Sequence, residues 1–272
     1  MAALPEPPPL PPPLPAPAVD THGHLSDPRL APTAERLLAR AAAVGVAYVV
    51  DPAVDAASAE TALAHARRFP RAVRAAVGVH PHEAAALGPD DWARVEALAA
   101  DPLCVAVGEV GLDHQRVFSP PAVQEECLER SLDLARRLDK PVLLHVRAAY
   151  RRTLEILDGA GRVRGILHAF WGDRETAEAF LVRGFLLGVG GAVTFRREEG
   201  LRQVIAALPP GSFVLETDAP YLAPEPVRGR TNEPALVAYT ARRVAAVRGV
   251  EVAELVRETT AAAARLLGWP AE

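Results

Sequence analysis

Short apolar segments alternate with longer amphipathic stretches along the chain from Ala18 onward. The apolar segments are rich in valine, leucine and isoleucine and show no in/out alternation, which is typical of parallel strands covered on both faces. They predict eight β-strands, at residues 18–20, 46–51, 74–79, 104–108, 141–145, 165–168, 185–189 and 213–216.

The stretches between the strands predict helices, because their apolar residues recur every three to four positions, as in residues 122–138. Eight β–α units in about 250 residues predict an α/β protein, a (β/α)8 TIM barrel that can be distorted, as a single domain at 18–272. A doubly wound open sheet is the alternative. No glycine-rich phosphate motif follows the first strand, which disfavours the dinucleotide-binding form of that sheet. After the eighth strand we expect helices at 233–248 and 251–267, with Gly249 as a C-cap between them.

Residues 1–17 have a different composition, with nine of the 26 prolines of the chain. Proline fixes φ and lacks an N–H, so this stretch is expected to be an extended and flexible polyproline II segment. An inert extension and a ligand for a proline-binding groove both remain open.

Charge and cysteine content narrow the function classes. A net charge of −4 with a pI of about 6.1 excludes a protein that coats nucleic acid by bulk positive charge. The two cysteines exclude a disulfide framework and suit a reducing compartment. The apolar runs are too short to span a bilayer, and the N-terminus has no signal-peptide pattern. We therefore expect a cytoplasmic protein without a membrane partner.

Side chains of the metal-binding type lie at the predicted carboxyl ends of six strands. Functional groups of barrel enzymes gather at this end, so these side chains are expected to converge. They are Asp20, His22, His24, His80, His82, Glu109, His145, His168, Glu216 and Asp218. Six of the eight histidines belong to this set. His65 and His114 lie outside it, and His65 is expected to be an exposed helix residue.

This set of residues predicts a metal site at the carboxyl ends of the strands. Imidazole and carboxylate suit zinc, manganese or iron, and carboxylates also suit magnesium. His22 and His24 alternate on an extended segment, so both can reach one ion. The full set exceeds one tetrahedral ion and suits two metals roughly 3.5–4 Å apart, bridged by a carboxylate and water. Asp218 can contact a metal and accept a proton from its water, and Glu216 can also be a structural salt-bridge partner.

Arginines and aromatic residues follow the strands on the same predicted face. The arginines are Arg116, Arg147, Arg151, Arg152, Arg196, Arg197, Arg228 and Arg230. They predict a phosphate-binding mouth, because a guanidinium binds phosphate through a planar fork of donors; plain surface residues are the alternative. The aromatic residues, suited either to base stacking or to packing, are Phe118, Phe170, Trp171, Phe195 and Tyr221.

Seven motifs carry a resemblance to a known family. They are DTHGHL at 20–25, GVHPH at 78–82, GEVGLD at 108–113, PVLLHVR at 141–147, HAF with a glycine at 168–172, LETDAPYL at 215–222 and RGRTNEP at 228–234. In this order they resemble the TatD family of metal-dependent deoxyribonucleases, in the amidohydrolase superfamily, over nearly everything from Val19 to Gly268.

The resemblance implies two divalent ions, of magnesium, manganese or zinc. Their ligands would be His22, His24, Glu109, His145, His168 and Asp218. Glu109 would bridge the ions, and Asp218 would also be the general base, which makes these two the catalytic residues. Substrate binding is expected from His80, His82, Arg147, Arg228 and Tyr221. The implied activity is 3′–5′ exonucleolytic hydrolysis of DNA, from a single strand or a 3′ end, by water that the two metals activate; RNA is an open alternative.

The sequence departs from the family pattern without losing a proposed ligand. His114 and Gln115 replace a usual aromatic pair, and Ala148 stands where an acidic or amide residue often follows the arginine. These departures concern substrate preference. Two other functions remain open: hydrolysis of an ester, lactone, amide or aminoacyl-tRNA ester at the same metal site, and a non-catalytic metal-binding scaffold that docks a partner through the proline-rich segment.

Overall fold

A computed structural model describes residues 7–88 and 90–269. Its strands are β1 (Ala18–Asp20), β2 (Val46–Pro52), β3 (Val73–Val77), β4 (Cys104–Asp113), β5 (Val142–Arg147), β6 (Gly165–Leu167), β7 (Phe185–Val189) and β8 (Phe213–Leu215). Its helices are α1 (Ala34–Ala43), α2 (Ala56–Arg68), α3 (Asp91–Ala99), α4 (Pro121–Leu138), α5 (Tyr150–Gly159), α6 (Arg174–Leu181), α7 (Glu199–Ala207), α8 (Val237–Arg248) and α9 (Val252–Leu267).

The strands form one parallel sheet in the order β1 to β8, with each strand beside its neighbour in sequence. The first and last strands approach each other, because the N–H of Thr21 donates to the carbonyl of Leu215 over 3.1 Å. Sequential order and this approach of the ends confirm the predicted (β/α)8 TIM barrel and exclude the doubly wound sheet.

The barrel interior is filled by small and branched side chains. Val19, Val50, Leu143 and Ile166 lie in one buried cluster, to which seven of the eight strands contribute a buried residue and α9 adds three more. Alternate strand residues therefore face inward, as barrel packing requires. A larger cluster lies between the strands and the surrounding helices.

Strand β4 is longer than predicted, and Glu109 lies within it. The pairing of β4 with β5 is irregular between Val107 and Val110, so the strand continues to Asp113 after a local shift. Gly111 allows the close approach of the two strands, since a Cβ there would overlap the backbone oxygen of His145. The predicted end at residue 108 was wrong. Glycine disfavours a regular strand, but Gly111 is the residue that permits the close pairing of β4 with β5.

The C-terminal helices differ little from prediction. A short 3-10 turn, Pro234–Leu236, precedes α8. Gly249 has φ +66° and caps α8, which confirms its predicted place. No helix in residues 7–88 and 90–269 is long and apolar enough to cross a membrane.

The proline-rich segment packs on the barrel where it is described. Pro8, Pro11 and Leu14 are buried and lie three residues apart, which matches the three-residue turn of polyproline II. The N–H of Leu14 donates to the carbonyl of Val44 over 2.9 Å. Arg242 on α8 donates to the carbonyl of Pro13 over 2.8 Å. Residues 1–6 lie outside the described part, and the flexibility and the domain boundary at residue 17 stay predictions.

Candidate metal centre

The six predicted metal ligands come together at the carboxyl ends of five strands. His22 and His24 follow β1, Glu109 lies in β4, His145 lies in β5, His168 follows β6 and Asp218 follows β8. The exposed fraction of their side chains is between 0% and 16%. The strand ends and the loops that follow them therefore hold a concentrated set of imidazoles and carboxylates away from most solvent.

The first part of the cluster is built around the two histidines that follow β1. Their Nε2 atoms lie 3.1 Å apart, and each is 3.4 Å from Oε2 of Glu109. Nε2 of His24 is also 3.6 Å from Oδ1 of Asp218. His22, His24 and Asp218 form one group whose ligand atoms could hold a metal ion.

The second part is built around the other oxygen of Glu109. Oε1 of Glu109 accepts a hydrogen bond from Nδ1 of His145 over 2.7 Å. Nε2 of His168 lies 3.6 Å from the same oxygen and 3.7 Å from Oδ1 of Asp218. Glu109 thus lies between two sets of nitrogens, the geometry expected of the bridging ligand that the resemblance implies.

His80 lies nearer to this cluster than sequence analysis anticipated. Its Nε2 is 3.5 Å from Oε1 of Glu109, and it forms a third possible metal-binding group with Glu109 and His145. The predicted role in substrate binding stays a prediction for His80. Its position also makes it a candidate ligand, in line with its place among the metal-binding side chains at the predicted strand ends.

His82 is held by a carboxylate that sequence analysis did not single out. Oδ2 of Asp113, at the end of β4, lies 2.8 Å from Nε2 of His82 and 3.5 Å from Nε2 of His145. Oδ1 of Asp113 accepts hydrogen bonds from the N–H groups of Gln115 and Arg116. Burial opposes ionisation, but these partners together hold the pKa of Asp113 far below its ordinary value.

The carboxylates of the cluster stabilise positive charge on two histidines. Burial alone would lower the pKa of His24, but Asp218 and Glu109 outweigh it and raise the pKa to about 9. Burial likewise opposes protonation of His168, and Glu216 with Asp218 raises its pKa to about 10. The pKa values of Glu109 and Asp218 are lowered in turn by the histidines.

The donor set fits divalent cations. The Nε2 atoms of His22 and His24 face each other at 3.1 Å. Two lone pairs would repel at this distance, so the two nitrogens need a positive charge between them. Burial, followed by the charge of His168, lowers the pKa of His22 to about 4, so its ring is neutral and available as a ligand. Neutral imidazoles beside ionised carboxylates are the ligands that zinc and manganese take.

Two further buried carboxylates support the ligands from behind. Oε1 of Glu216 lies 3.0 Å from Nδ1 of His168 and accepts the N–H of Ala169 over 2.6 Å. Asp20 accepts hydrogen bonds from the hydroxyl and the N–H of Thr217, and from the N–H of His22. Burial is the main cause that raises the pKa of Asp20 to about 7.

Residues on β2 and α2 support the loop after β1. Nδ1 of His24 lies 3.0 Å from the carbonyl of Pro52. The neighbouring Asp51 is fully buried and accepts hydrogen bonds from the N–H and hydroxyl of Ser26. Its Oδ2 lies 3.0 Å from Nδ1 of His65, whose side chain is only 12% exposed. The prediction that His65 is exposed was wrong, because an acidic partner on the adjacent strand draws it inward.

The predicted substrate-binding residues lie around the rim of the centre. Arg147 is exposed at the end of β5, and its Nε donates to Oε1 of Gln115 over 2.7 Å. The guanidinium of Arg228 lies 4.1 Å from the ring centroid of Phe195. Tyr221 is 51% exposed, and its N–H donates to the carbonyl of Asp218.

The arginines predicted to form a phosphate-binding mouth differ in their surroundings. Arg116, Arg196 and Arg197 are exposed on loops of this face. Arg152, by contrast, lies on α5 with Glu125 2.6 Å away. The phosphate-binding role stays a prediction for all of these arginines.

Comparisons with known proteins give a consistent result. A family model described as TatD-related DNase matches residues 19–268. The "Uncharacterized metal-dependent hydrolase TatD" of Mycobacterium tuberculosis is 39% identical over 264 residues, which cover 92% of this chain and 98% of that protein. The "3′-5′ ssDNA/RNA exonuclease TatD" of Cronobacter sakazakii is 39% identical over 239 residues, covering 85% and 90%.

Solved structures agree with the sequence comparisons. The Escherichia coli TatD homologue YjjV superposes with a TM-score of 0.88 at 31% identity, covering 93% of this chain and 98% of that one. A hydrolase of the TatD family from Entamoeba histolytica has the same fold, with a TM-score of 0.86 at 19% identity, covering 94% and 99%. The matched family model, the relatives and the fold together show that the chain belongs to the TatD family.

Proposed function

We propose that this protein is a metal-dependent phosphodiester hydrolase that removes nucleotides from the 3′ end of single-stranded DNA, with RNA as a further substrate. The observation that carries the proposal is the position of Glu109, whose two oxygens contact two different sets of histidines. Relatives with 39% and 34% identity are named 3′-5′ ssDNA/RNA exonucleases, which supports the choice of substrate.

We assign two divalent ions, of magnesium, manganese or zinc, to this centre. His22, His24 and Asp218 would hold one ion, and His145 and His168 the other, with Glu109 between them. Such ions, when bound, lower the pKa of water toward neutrality and neutralise charge on phosphate oxygens.

Asp218 is the residue best suited to accept a proton from the attacking water. Its side chain is 16% exposed, and His168 and His24 hold its pKa below the ordinary value despite burial. It is therefore ionised at neutral pH. Its Oδ1 lies 3.6 Å from His24 and 3.7 Å from His168, so two imidazoles fix the direction of the carboxylate.

The opposite side of the centre offers groups for the leaving oxygen and the phosphate. The rings of His80 and His82 lie 4.3 Å apart, and Asp113 orients His82, so either histidine can donate a proton to the leaving oxygen. Arg147, at the end of β5, and Arg228, on the loop after β8, are exposed on the same face of the barrel and suited to bind substrate phosphates.

The compartment is part of the same proposal. Cys104 and Cys127 are free and buried thiols, which suits a reducing environment. We place the enzyme in the cytoplasm on this basis.

The decisive experiment is hydrolysis of end-labelled single-stranded DNA and RNA with Mg²⁺, Mn²⁺ or Zn²⁺, and with EDTA. A 5′-labelled strand should shorten stepwise, whereas a 3′-labelled strand should release labelled mononucleotide at once. Asp218→Asn should reduce the rate about 10²–10⁴-fold, the range of a catalytic proton-transfer group. Glu109→Gln should reduce it at least as much, because it would remove the carboxylate between the two ions. Asp158→Asn is the matched control, since this exposed carboxylate on α5 pairs with Arg183.

The other outcomes are equally informative. If the folded, metal-loaded protein cleaves neither nucleic acid but does cleave an aminoacyl or nitrophenyl ester, the same centre serves an ester substrate. If metal binds and no substrate is hydrolysed, the scaffold alternative replaces the enzyme. Full activity of either site variant would contradict the assignment of the centre.

A further inference from the structure

Three aromatic side chains are exposed on the face that carries the candidate metal centre. Phe118 is 71% exposed, Tyr221 51% and Trp171 43%. In the described part of the chain these are the exposed large aromatic residues, and the other exposed large hydrophobic residues are aliphatic. We call the three residues the aromatic rim. Exposed apolar area concentrated on one face indicates an interaction site.

Each member of the aromatic rim is connected to a different part of the centre. The ring of Phe118 lies 4.7 Å from the ring of His82, edge to face. Trp171 follows His168 by three residues on the loop after β6. Tyr221 follows Asp218 by three residues, and a backbone hydrogen bond of 2.8 Å joins the two. The rim residues therefore come from three separate loops, after β4, β6 and β8.

Contacts fix two of these rings while leaving ring surface exposed. The indole N–H of Trp171 donates to Oε2 of Glu198 over 2.7 Å. The guanidinium of Arg29 lies 4.5 Å from the ring centroid of Tyr221, and Arg29 is itself paired with Asp27 at 2.8 Å. A ring held in this way loses little conformational entropy when a second flat group stacks on it.

Two other aromatic residues of these loops have a supporting role. Phe170 is 3% exposed and Phe195 is 5% exposed, so both pack inside the fold. Phe195 lies 6.3 Å from the ring of Trp171, and Arg228 covers it at 4.1 Å. The structure thus separates the five aromatic residues suggested by the sequence into three that can bind and two that pack.

Positive charge accompanies the rim. Arg116 and Arg228 are exposed on the loops after β4 and β8, and Arg29 and Arg147 are exposed after β1 and at the end of β5. Arginines beside exposed rings match a chain of phosphates that carries unpaired bases, since phosphates take the cations and base faces take the rings. The internal bases of a duplex already stack on both neighbours, and only the outer face of its terminal pair is free, so a duplex end cannot supply a separate base to each of three rings.

We propose that Phe118, Trp171 and Tyr221 bind unpaired bases of the terminal nucleotides by stacking, and that this selects single-stranded ends. This proposal rests on the proposed nuclease function and adds the feature of the substrate that is recognised. Removal of one ring should weaken binding about 5- to 150-fold, the equivalent of about 1–3 kcal/mol per stacked base.

Tryptophan fluorescence provides a test that does not depend on hydrolysis. The chain has three tryptophans, of which Trp92 is 8% exposed and Trp269 is 7% exposed. A ligand at the surface therefore changes mainly the fluorescence of Trp171. The probe is a phosphorothioate-linked decathymidylate, which resists cleavage, titrated into the protein in Mg²⁺. A matched decamer of abasic units has the same backbone without bases. We expect quenching by the first and little or none by the second.

Variants then separate stacking from a structural role. Phe118→Leu and Tyr221→Leu should raise the Kd for decathymidylate, and the KM for single-stranded DNA, with a smaller change in kcat. Phe118→Tyr should restore binding, because it restores a stacking ring. Val182→Ala is the control, since this valine is 80% exposed at the end of α6. The variants should bind the abasic decamer as the wild type does.

The results distinguish the two proposals. The stacking proposal would be overturned if the leucine variants lost equal affinity for the abasic and thymidine decamers, or if the Kd for decathymidylate were unchanged in both. Either result would count even if the protein is a nuclease. Base-dependent quenching without hydrolysis in any metal would retain the stacking surface and overturn the nuclease function.

Discussion

His168 lies between carboxylates on both sides of its ring: Nδ1 is 3.0 Å from Oε1 of Glu216, and Nε2 is 3.6 Å from Oε1 of Glu109. Only the second nitrogen faces the candidate metal centre. A carboxylate behind a ligating imidazole fixes its tautomer and increases its basicity. Glu216 is therefore placed to orient a candidate ligand without facing the centre itself.

Glu216→Gln should weaken metal binding about 10- to 100-fold, the usual effect of losing such a supporting carboxylate. Isothermal titration with Mn²⁺ or Zn²⁺ measures this directly. Gly188→Ala should have a similar effect, because a Cβ at Gly188 would overlap the carboxylate of Glu216. Gly200→Ala is the control, since a Cβ at Gly200 on α7 meets no atom within 4 Å. Wild-type affinity in both test variants would show that Glu216 has only a packing role.

The barrel and the meeting of the ligands could be predicted from the sequence because both follow from one-dimensional patterns. Apolar runs mark the strands, and parallel strands of a barrel bring their carboxyl ends to one face. His145 and His168 end their predicted strands, so their convergence needs no knowledge of distances. The irregular pairing of β4 could not be predicted, because it depends on how closely β5 approaches Gly111.

The supporting residues were harder to predict because their partners are distant in sequence. Asp113 meets His82 only through the arrangement of the loops after β3 and β4. Asp51 meets His65 only when α2 packs on β2. Neither pair of residues has a sequence spacing that identifies it as a contact. The burial of Pro8, Pro11 and Leu14 against the barrel could not be predicted for the same reason, since nothing in the composition of this segment indicates which surface it contacts.

Asp51→Ala should lower the free energy of unfolding by about 2–4 kcal/mol. The substitution leaves the hydroxyl and N–H of Ser26 and the ring of His65 without their buried acceptor. Urea denaturation of the metal-free protein measures the change. Asp158→Ala should change stability by less than about 1 kcal/mol, because this surface ion pair is exposed to water. An equal loss of unfolding free energy in the two variants would mean that the buried contacts of Asp51 stabilise the protein no more than the surface ion pair of Asp158.

The proline-rich segment can be tested by two leucines on opposite sides of it. Leu14 is 8% exposed and its N–H donates to the carbonyl of Val44, whereas Leu10 is 37% exposed. Leu14→Ala should destabilise the protein by about 2–3 kcal/mol, the usual effect of truncating a buried leucine. Leu10→Ala should stay within about 0.5 kcal/mol of the wild type. Thermal or urea unfolding measures both, and two equal, small effects would support a flexible segment.

Metal affinity should increase with pH between about 6.5 and 8.5. In the metal-free protein the pKa of His24 is about 9 and that of His168 is about 10, so both rings are protonated below these values. A cation must displace these protons, so raising the pH removes a competitor. The same raised pKa values stabilise the metal-free fold below about 6.5, and this stabilisation is lost as the pH rises through 9 to 10. Titration calorimetry with Mn²⁺ in two buffers of different ionisation enthalpy should detect proton release on binding. Binding without proton release, at an affinity independent of pH, would show that neither histidine carries its proton when the metal arrives.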